Sequence, residues 1–456
     1  MNQPVPAPAA RTAKYQTIAD ELAQAIVNGQ FAPGEKLPPH RVMARRLGVT
    51  PGTVSRAYAE LERQALALAR VGDGTYVRNL ENWKSLHELD DALPLIDLAH
   101  NVAIQTKEMD FLRRALAHLA QPGPQSDGLL DYQPEAGVTR HRKAGAVWLK
   151  SFGTTGAWSR VMMTHGAQHA LAAVLRTIAR PGDTILTESL SYAGLMALAR
   201  SMRLQVIGLE TDAQGLLPDA LDKAASTYGS KMLYCTPSLH NPSTATMSLQ
   251  RRADIAAVIR RHNLLLMEDM VHAAAIADPL PALSTWLPDQ SFLMASFSKV
   301  MAPGLRVGYL EASPQWLDKV AASIRADCWM IAPLMPEILT QWLETGAAGE
   351  LIGHQRACIA ERLALARRCL QHIAFDWADD MPHLFLPMPG NWRANDFAAA
   401  MRQAGALVRT MDHFSAGRAA PPQAVRISLN AAATVEQLRD GLQIVARVLE
   451  QGGRPD

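Results

Sequence analysis

Apolar residues recur at helical spacing near the start of the chain and at strand spacing through its middle. From Tyr15 to Gly29, the residues Ile18, Leu22, Ala25 and Ile26 share one helix face, and Gly29 suits the helix end. Phe31 to Pro39 is a turn-rich connection, and a second helix is expected at about His40–Leu47, closed by Gly48-Val49. Thr50 then offers an N-cap and Pro51 a first helical position, with Val54, Tyr58 and Leu61 as the inward face of a third helix. Two helices joined by a tight glycine-containing turn make a helix-turn-helix. Ala67–Val71 and Thr75–Val77 flank Gly72-Asp73-Gly74, the pattern of a short hairpin that adds a wing.

Asn79 to Leu95 is polar and acidic with no period, which predicts an interdomain linker at 79–95 between a module at 1–78 and a body at 96–456. Beyond Ile96, helical and strand-like segments alternate as in an α/β domain. Strands are expected at Val161–Met163, Thr184–Thr187, Gln205–Leu209, Met232–Cys235, Leu264–Glu268, Phe292–Ala295 and Val307–Leu310. Ligands of such folds sit at the carboxyl ends of the strands.

Composition changes this picture in two respects. The chain has 456 residues and a net charge of +2, yet residues 1–80 carry ten lysines and arginines against six acids. A basic module on a near-neutral body predicts a polyanionic partner for the module alone. The four cysteines, Cys235, Cys328, Cys358 and Cys369, form no Cys-x-x-Cys pair and are expected as reduced, mostly buried thiols. With no signal-peptide core and no membrane-length apolar run, a cytoplasmic protein without membrane association is expected; no metal site is expected either.

The candidate chemistry lies where the expected strands end. Ser296-x-Ser298-Lys299 follows one of them, and Arg306 comes seven residues after the lysine as a fixed charge suited to phosphate. Desolvation and cationic neighbours would lower the pKa of Lys299, which a lysine needs in order to react with an aldehyde. Gly166-Ala167-Gln168 opens a helix right after a strand, where exposed N–H groups can cradle a phosphate. Tyr192, either core or a ring that stacks on a ligand, and Asn241, in an Asn-Pro turn, follow two more strands. Asp269 emerges from a buried strand, where a carboxylate needs a partner; a protonated pyridine nitrogen would be one. Arg426 lies on a late strand, as a surface residue or as a fork for a carboxylate.

The order Ser-x-Ser-Lys-x-x-x-Pro-Gly-x-Arg-x-Gly at 296–308 resembles the cofactor-lysine segment of fold-type I pyridoxal-phosphate enzymes, the aspartate aminotransferase-like superfamily. The resemblance runs from about Ile96 to the C-terminus and implies a large subdomain at about 125–315 and a small one at about 316–456. It implies pyridoxal 5'-phosphate as cofactor, Lys299 as Schiff-base lysine, Asp269 as pyridine partner, Asn241 as partner of the phenolic oxygen and Tyr192 as the stacking ring. Gly166, Ala167, Gln168, Ser296, Ser298 and Arg306 would surround the phosphate, and Arg426 would fork a substrate carboxylate. Tyr132 matches a tyrosine that reaches the phosphate of the partner subunit, which implies a homodimer. The chain departs from the common pattern at His272, where a tyrosine is usual, at Pro242-Ser243-Thr244, at His100-Asn101-Val102-Ala103 and at Arg140-His141-Arg142.

The first 78 residues resemble the winged helix-turn-helix of GntR-type regulators through Pro33-Gly34-x-x-Leu37-Pro38, Leu47-Gly48-Val49, Ala57-Tyr58-x-x-Leu61 and Gly72-x-Gly74-Thr75-Tyr76-Val77. Pro51, Gly52, Thr53, Ser55 and Arg56 would face base edges of double-stranded operator DNA. Arg41, Arg45, Arg70 and Thr75 would meet phosphates. Pro39-His40 and the glycine-free Arg63-Gln64-Ala65-Leu66 depart from the usual pattern. The two halves together resemble MocR-type regulators, a GntR subgroup. This implies a transcription regulator that senses an amino compound or pyridoxal phosphate itself. A working aminotransferase with a DNA-binding appendix is the alternative, and a dimerisation scaffold the third reading.

Overall fold

The computed structural model describes residues 14–31, 35–63, 66–70, 74–77, 95–104, 107–123, 126–417 and 420–452, with backbone alone at Val27, Arg63, Leu68 and Arg70. They form two compact units, one holding the described residues up to Val77 and the other taking 95–417 and 421–452. The linker expected at 79–95 lies, but for Leu95, outside the described residues.

In the first unit, α1 (Lys14–Val27), α2 (His40–Leu47) and α3 (Pro51–Arg63) enclose a core of Ile18, Leu22, Leu37, Met43, Val54 and Leu61. Gly48 takes φ 61°, the left-handed conformation that ends α2 and turns the chain into α3. Thr50 caps α3, its Oγ1 accepting from Thr53 N at 3.3 Å. Strands β1 (Ala67–Arg70) and β2 (Gly74–Val77) pair antiparallel as the wing. Residues 35–37 flank β2, with Leu37 N donating to the Thr75 carbonyl and Val77 N to the Glu35 carbonyl, each at 2.8 Å.

The second unit begins with β3 (Ile96–Asp97), α4 (Glu108–Leu119) and α5 (Thr139–Leu149). Then come β4 (Val161–Thr164), α6 (Gly166–Ile178), β5 (Thr184–Glu188), α7 (Ala193–Ser201) and β6 (Gln205–Leu209). A small hairpin of β7 (Thr211–Asp212) and β8 (Gly215–Leu216) leads to α8 (Pro218–Tyr228), β9 (Met232–Cys235), α9 (Leu249–His262) and β10 (Leu265–Asp269). β11 (Ser291–Ser296) and β12 (Gly308–Ala312) complete a seven-stranded sheet of order β4-β12-β11-β10-β9-β5-β6. All are parallel except β12, which runs antiparallel to both neighbours. Each of the seven strands begins and ends within two residues of its expected position.

The pleat sends alternate side chains to opposite faces. Met232 and Tyr234 of β9 join a core with α5 and α6, while Leu233 and Cys235 join another with α8 and α9. Both faces are therefore covered, as the apolar runs require.

Helices α10 (Pro314–Cys328), α11 (Leu334–Glu344) and α12 (Ala347–Cys369) follow, then β13 (His383–Pro387), α13 (Ala394–Gln403), β14 (Ala406–Leu407), β15 (Arg409–Thr410), β16 (Ala424–Ser428) and α14 (Val435–Glu450). The order β13-β16-β15 makes a small antiparallel sheet, and β14 pairs parallel with β3. The subdomain boundary expected near 315 falls inside the large core. α10 and α11 are amphipathic and pack on α6 and α5, burying Leu317, Val320, Ile338 and Leu339 there, and the small core takes up the chain at Leu363. Leu98 belongs to the small core as well.

The expectation of mostly buried cysteines needs correction. All four are free, but only Cys235 is buried; Cys328 is exposed at the end of α10, and Cys358 and Cys369 are partly open on α12. No helix among the described residues is long and apolar enough to cross a membrane, and no cluster of metal-ligating side chains occurs among them.

Candidate functional site

The carboxyl ends of the parallel strands bring the expected residues to one end of the large sheet. β4 leads into Gly166, β5 into Tyr192, β9 toward Asn241, β10 ends at Asp269, and β11 leads into Ser298 and Lys299. Because β12 runs the other way, Arg306 sits at the same end, just before it.

Lys299 Nζ donates to the Asn101 carbonyl at 2.6 Å. Burial, and after it the charges of Arg426 and Arg306, push its pKa down to about 8, against the pull of Asp269. Asp269 accepts from Tyr234 Oη at 2.7 Å and from Val271 N at 2.9 Å. Burial pushes its pKa up, and the tyrosine hydrogen bond is the largest opposing effect.

The anion end is built on backbone. Gly166 opens the thirteen-residue α6 at φ 76°, and a Cβ there would lie 3.1 Å from Arg306 Nη2. Arg306 donates at long range, 3.4 Å, to Ser298 Oγ and to the His165 carbonyl. Ser296 is buried at the end of β11, and Ala167 and Gln168 lie in the first turn of α6. Gln168 Nε2 donates to the Gly194 carbonyl at 3.3 Å, while its Oε1 is buried without a partner.

Arg426 of β16 donates from Nη1 to Asn241 Oδ1 at 2.9 Å and from Nη2 to the Ala99 carbonyl, with Phe414 under its guanidinium at 4.9 Å. Burial, then Arg409, lowers its pKa to about 9. His272 is buried, and burial with the charges of Lys299 and Arg426 holds its pKa down to about 3, so its ring is neutral. Tyr192 precedes α7 with its ring partly exposed. Tyr132 stands apart, 84% exposed, its ring 6.0 Å from that of Trp329.

A carboxylate to accept, a buried amine of lowered pKa, and a helix N-terminus with a guanidinium to donate are the groups that pyridoxal phosphate needs. Buried polar atoms without partners at Gln168 Oε1, at the Asn101 amide and at Arg426 Nε leave unmet hydrogen bonds in the same cluster. The residues fit the cofactor.

Three participants escaped the reading of the chain. Tyr234 was expected only as part of a strand, although a buried tyrosine needs a hydroxyl partner, and that need was the available signal. The Asn101 carbonyl is a backbone atom without a residue signature. Arg409 lies directly opposite Arg426 in register, with its Nη2 3.3 Å from His100 Nε2, and Asp97 Oδ2 lies 2.7 Å from His100 Nδ1.

In the first unit, Arg41, Arg45, Pro51, Gly52, Ser55 and Arg56 are exposed and Thr53 is half-buried. Ser55 Oγ bonds the Pro51 carbonyl and approaches His40 Nδ1, each at 3.1 Å. Thr75 is only 6% exposed and faces the module's interior, so its side chain is closed to a duplex. The side chain of Arg70 lies outside the description.

Comparison with known proteins matches both units. The model for aminotransferase class I and II covers residues 79–445, and that for bacterial regulatory proteins of the gntR family covers 14–77. The chain belongs to the aminotransferase class I and II family, with a gntR-type DNA-binding domain ahead of it. That pairing is the MocR type, and the protein is a transcription regulator of that type. It is 28% identical over 444 residues to the HTH-type transcriptional regulator YdeF of Bacillus subtilis (strain 168), covering 96% of this chain and 94% of that one. It is 25% identical over 416 residues to the vitamin B6 salvage pathway transcriptional repressor PtsJ of Salmonella typhimurium, covering 91% and 93%. Among solved structures, the α-aminoadipate aminotransferase LysN of Thermus thermophilus, complexed with N-(5'-phosphopyridoxyl)-L-leucine, shares the fold at a TM-score of 0.70. That match is 20% identical and covers 78% of this chain and 92% of LysN.

Proposed function

We propose that this regulator binds pyridoxal 5'-phosphate at Lys299 and senses either the cofactor itself or an amino compound held with it. The observation that carries the reading is a buried lysine amine, its pKa brought to about 8, at the strand ends that also present Asp269 and Arg306. When bound, the cofactor supplies an aldehyde that captures primary amines and a ring that withdraws electrons.

Lys299 would hold the aldehyde carbon, Asp269 the ring nitrogen and Asn241 the phenolic oxygen, with Tyr192 against the ring face and His272 beside it as a neutral group. Gly166, Ala167, Gln168, Ser296, Ser298 and Arg306 would hold the phosphate, joined by Tyr132 of the partner subunit in a homodimer. Arg426 would take a ligand carboxylate. The name of PtsJ, which ties a relative to vitamin B6, agrees with cofactor occupancy as a signal.

Two winged helices of a cytoplasmic dimer would contact paired half-sites of double-stranded DNA through Pro51, Gly52, Thr53, Ser55 and Arg56, with Arg41, Arg45 and Arg70 on phosphates. Ligand binding regulates only by favouring one of two states of different DNA affinity.

Absorption spectra with pyridoxal phosphate, followed by DNA-shift titrations with and without it, test the reading. A visible band that Lys299→Ala abolishes, together with a cofactor-dependent change in DNA affinity, is expected. No band, or a band without any effect on DNA binding, refutes it. Repeated turnover of an amino donor and a keto acid would instead favour a working aminotransferase.

A further inference from the structure

Residues 95–104 form the first described stretch after Val77, and this stretch is pinned at both ends. At its start, β3 pairs with β14, and the Leu98 carbonyl accepts from Ser428 N at 2.7 Å. At its end, Ile104 N donates to Gln355 Oε1 at 3.1 Å, and Gln355 Nε2 donates back to the Ile104 carbonyl.

Between these anchors the backbone is held by the site's own cations. The Ala99 carbonyl accepts from Arg426 Nη2 and the Asn101 carbonyl from Lys299 Nζ. A local turn completes the arrangement, with Ala99 N and His100 N donating to Asp97 Oδ1 at 2.8 and 3.1 Å. Both polar atoms of the Asn101 amide are buried without partners, as is Arg426 Nε.

We propose that residues 99–103 are a strap released by the ligand, and that the releasing group is a carboxylate that takes Arg426 from the Ala99 carbonyl. The proposal rests on the cofactor-sensing reading above and names how the site would be read out.

Release follows from competition for donors. Arg426 is a buried cation whose Nη1 and Nη2 hydrogen bonds go to uncharged oxygens, those of Asn241 and Ala99. A carboxylate accepts from a guanidinium in a paired, charge-assisted geometry roughly twice as strong as a neutral bond. It also adds a countercharge at the guanidinium itself, beyond the longer-range pull of Asp97. The Lys299 amine is committed in the same way, since it cannot serve Asn101 and an aldehyde carbon together. Cofactor and carboxylate therefore act on two carbonyls two residues apart, and both favour release. By linkage, whatever stabilises the released strap tightens ligand binding. In the chain, this strap follows residues 78–94, which lead from the DNA-binding unit.

Hydrogen exchange by mass spectrometry on the full chain tests this with N-(5'-phosphopyridoxyl)-L-alanine and N-(5'-phosphopyridoxyl)ethylamine, probes that differ only in the carboxylate. Exchange across 96–104 should be about tenfold faster with the alanine probe than with the ethylamine probe, the size of one lost charge-assisted bond. Arg426→Gln without ligand should already exchange fast there and should not distinguish the probes. Exchange in the 232–235 and 265–269 strands reports whether the variant is folded, and Arg426→Lys, which keeps the charge, replaces it if not. Equal or slower exchange with the alanine probe once both probes are seen to bind overturns the strap, and so does wild-type exchange in the unliganded variant. Failure of both probes to bind would refute the cofactor-sensing reading and with it release by the ligand, while faster exchange in Arg426→Gln than in wild type would still show that Arg426 holds the strap.

Discussion

Tyr234 donates its hydroxyl to Asp269 Oδ2 at 2.7 Å, from β9 to the neighbouring β10. Burial favours the protonated acid, and this bond is the largest effect opposing it, which in the proposed complex would help keep the carboxylate available to a ring nitrogen. Tyr234→Phe should weaken pyridoxal phosphate binding about tenfold, the order of one hydrogen bond to a charged group. Asp269→Ala should weaken it further. Fluorescence titration measures both, and wild-type affinity in Tyr234→Phe would show that the phenol does not matter to the ring.

Lys299 is buried beside Arg426 and Arg306, and its pKa of about 8 lies below that of an ordinary lysine. The rate at which the cofactor's band appears should rise as pH increases through about 8 and then level off. An ordinary lysine would keep rising by two further pH units, roughly, to its usual pKa of about 10.4. For stability the sign follows from linkage: the unfolded chain binds this proton more tightly, so cofactor-free stability gains as pH rises from about 8 toward the ordinary lysine value. Lys299→Met should flatten that part of the urea-unfolding profile, and an unchanged slope would contradict the burial of a reactive amine.

At Gly166 two constraints coincide, φ of 76° and a space that Arg306 Nη2 already borders. Gly166→Ala should cost about 1–2 kcal/mol of stability through backbone strain and displace the guanidinium. Affinity for pyridoxal phosphate should fall while affinity for unphosphorylated pyridoxal holds. Gly182→Ala, also at positive φ but with open space around it, should cost stability without changing the ratio of the two affinities.

The DNA-binding unit can be tested by salt. Arg41, Arg45 and Arg56 are exposed. Each alanine substitution at a phosphate-contacting arginine should reduce the slope of log affinity against log salt by about 1. Thr50→Ala should remove the cap of α3 and about 1 kcal/mol of that unit's stability. Slopes unchanged at Arg41 and Arg45 would place the duplex on another face.

Central parallel strands are covered on both faces, so they read as continuous apolar runs, and all seven could be located from the chain to within two residues. The placement of Lys299, Asp269 and Asn241 at their carboxyl ends followed, because these residues carry recognisable neighbours. What could not be read depends on distant partners. Strand β3 has two residues and exists only because β14 pairs with it some three hundred positions later. The small core starts at Leu363 because α10 and α11 choose the sheet, a choice that amphipathic helices do not announce. Thr75 looked like a wing contact, yet the alternation of a four-residue strand turned its side chain inward.

The single reversed strand has its own consequence. Ser296 pairs with Gly308, so the turn of eleven residues between them begins and ends at one place, with Lys299 near its start and Arg306 near its finish. The amine and the guanidinium are thus two marks on one closed loop, and in the proposed complex that loop would gauge the length of the ligand. A vitamin form without its phosphate would reach one mark only, and an insertion or deletion within 300–305 would recalibrate the gauge while sparing the groups at either end.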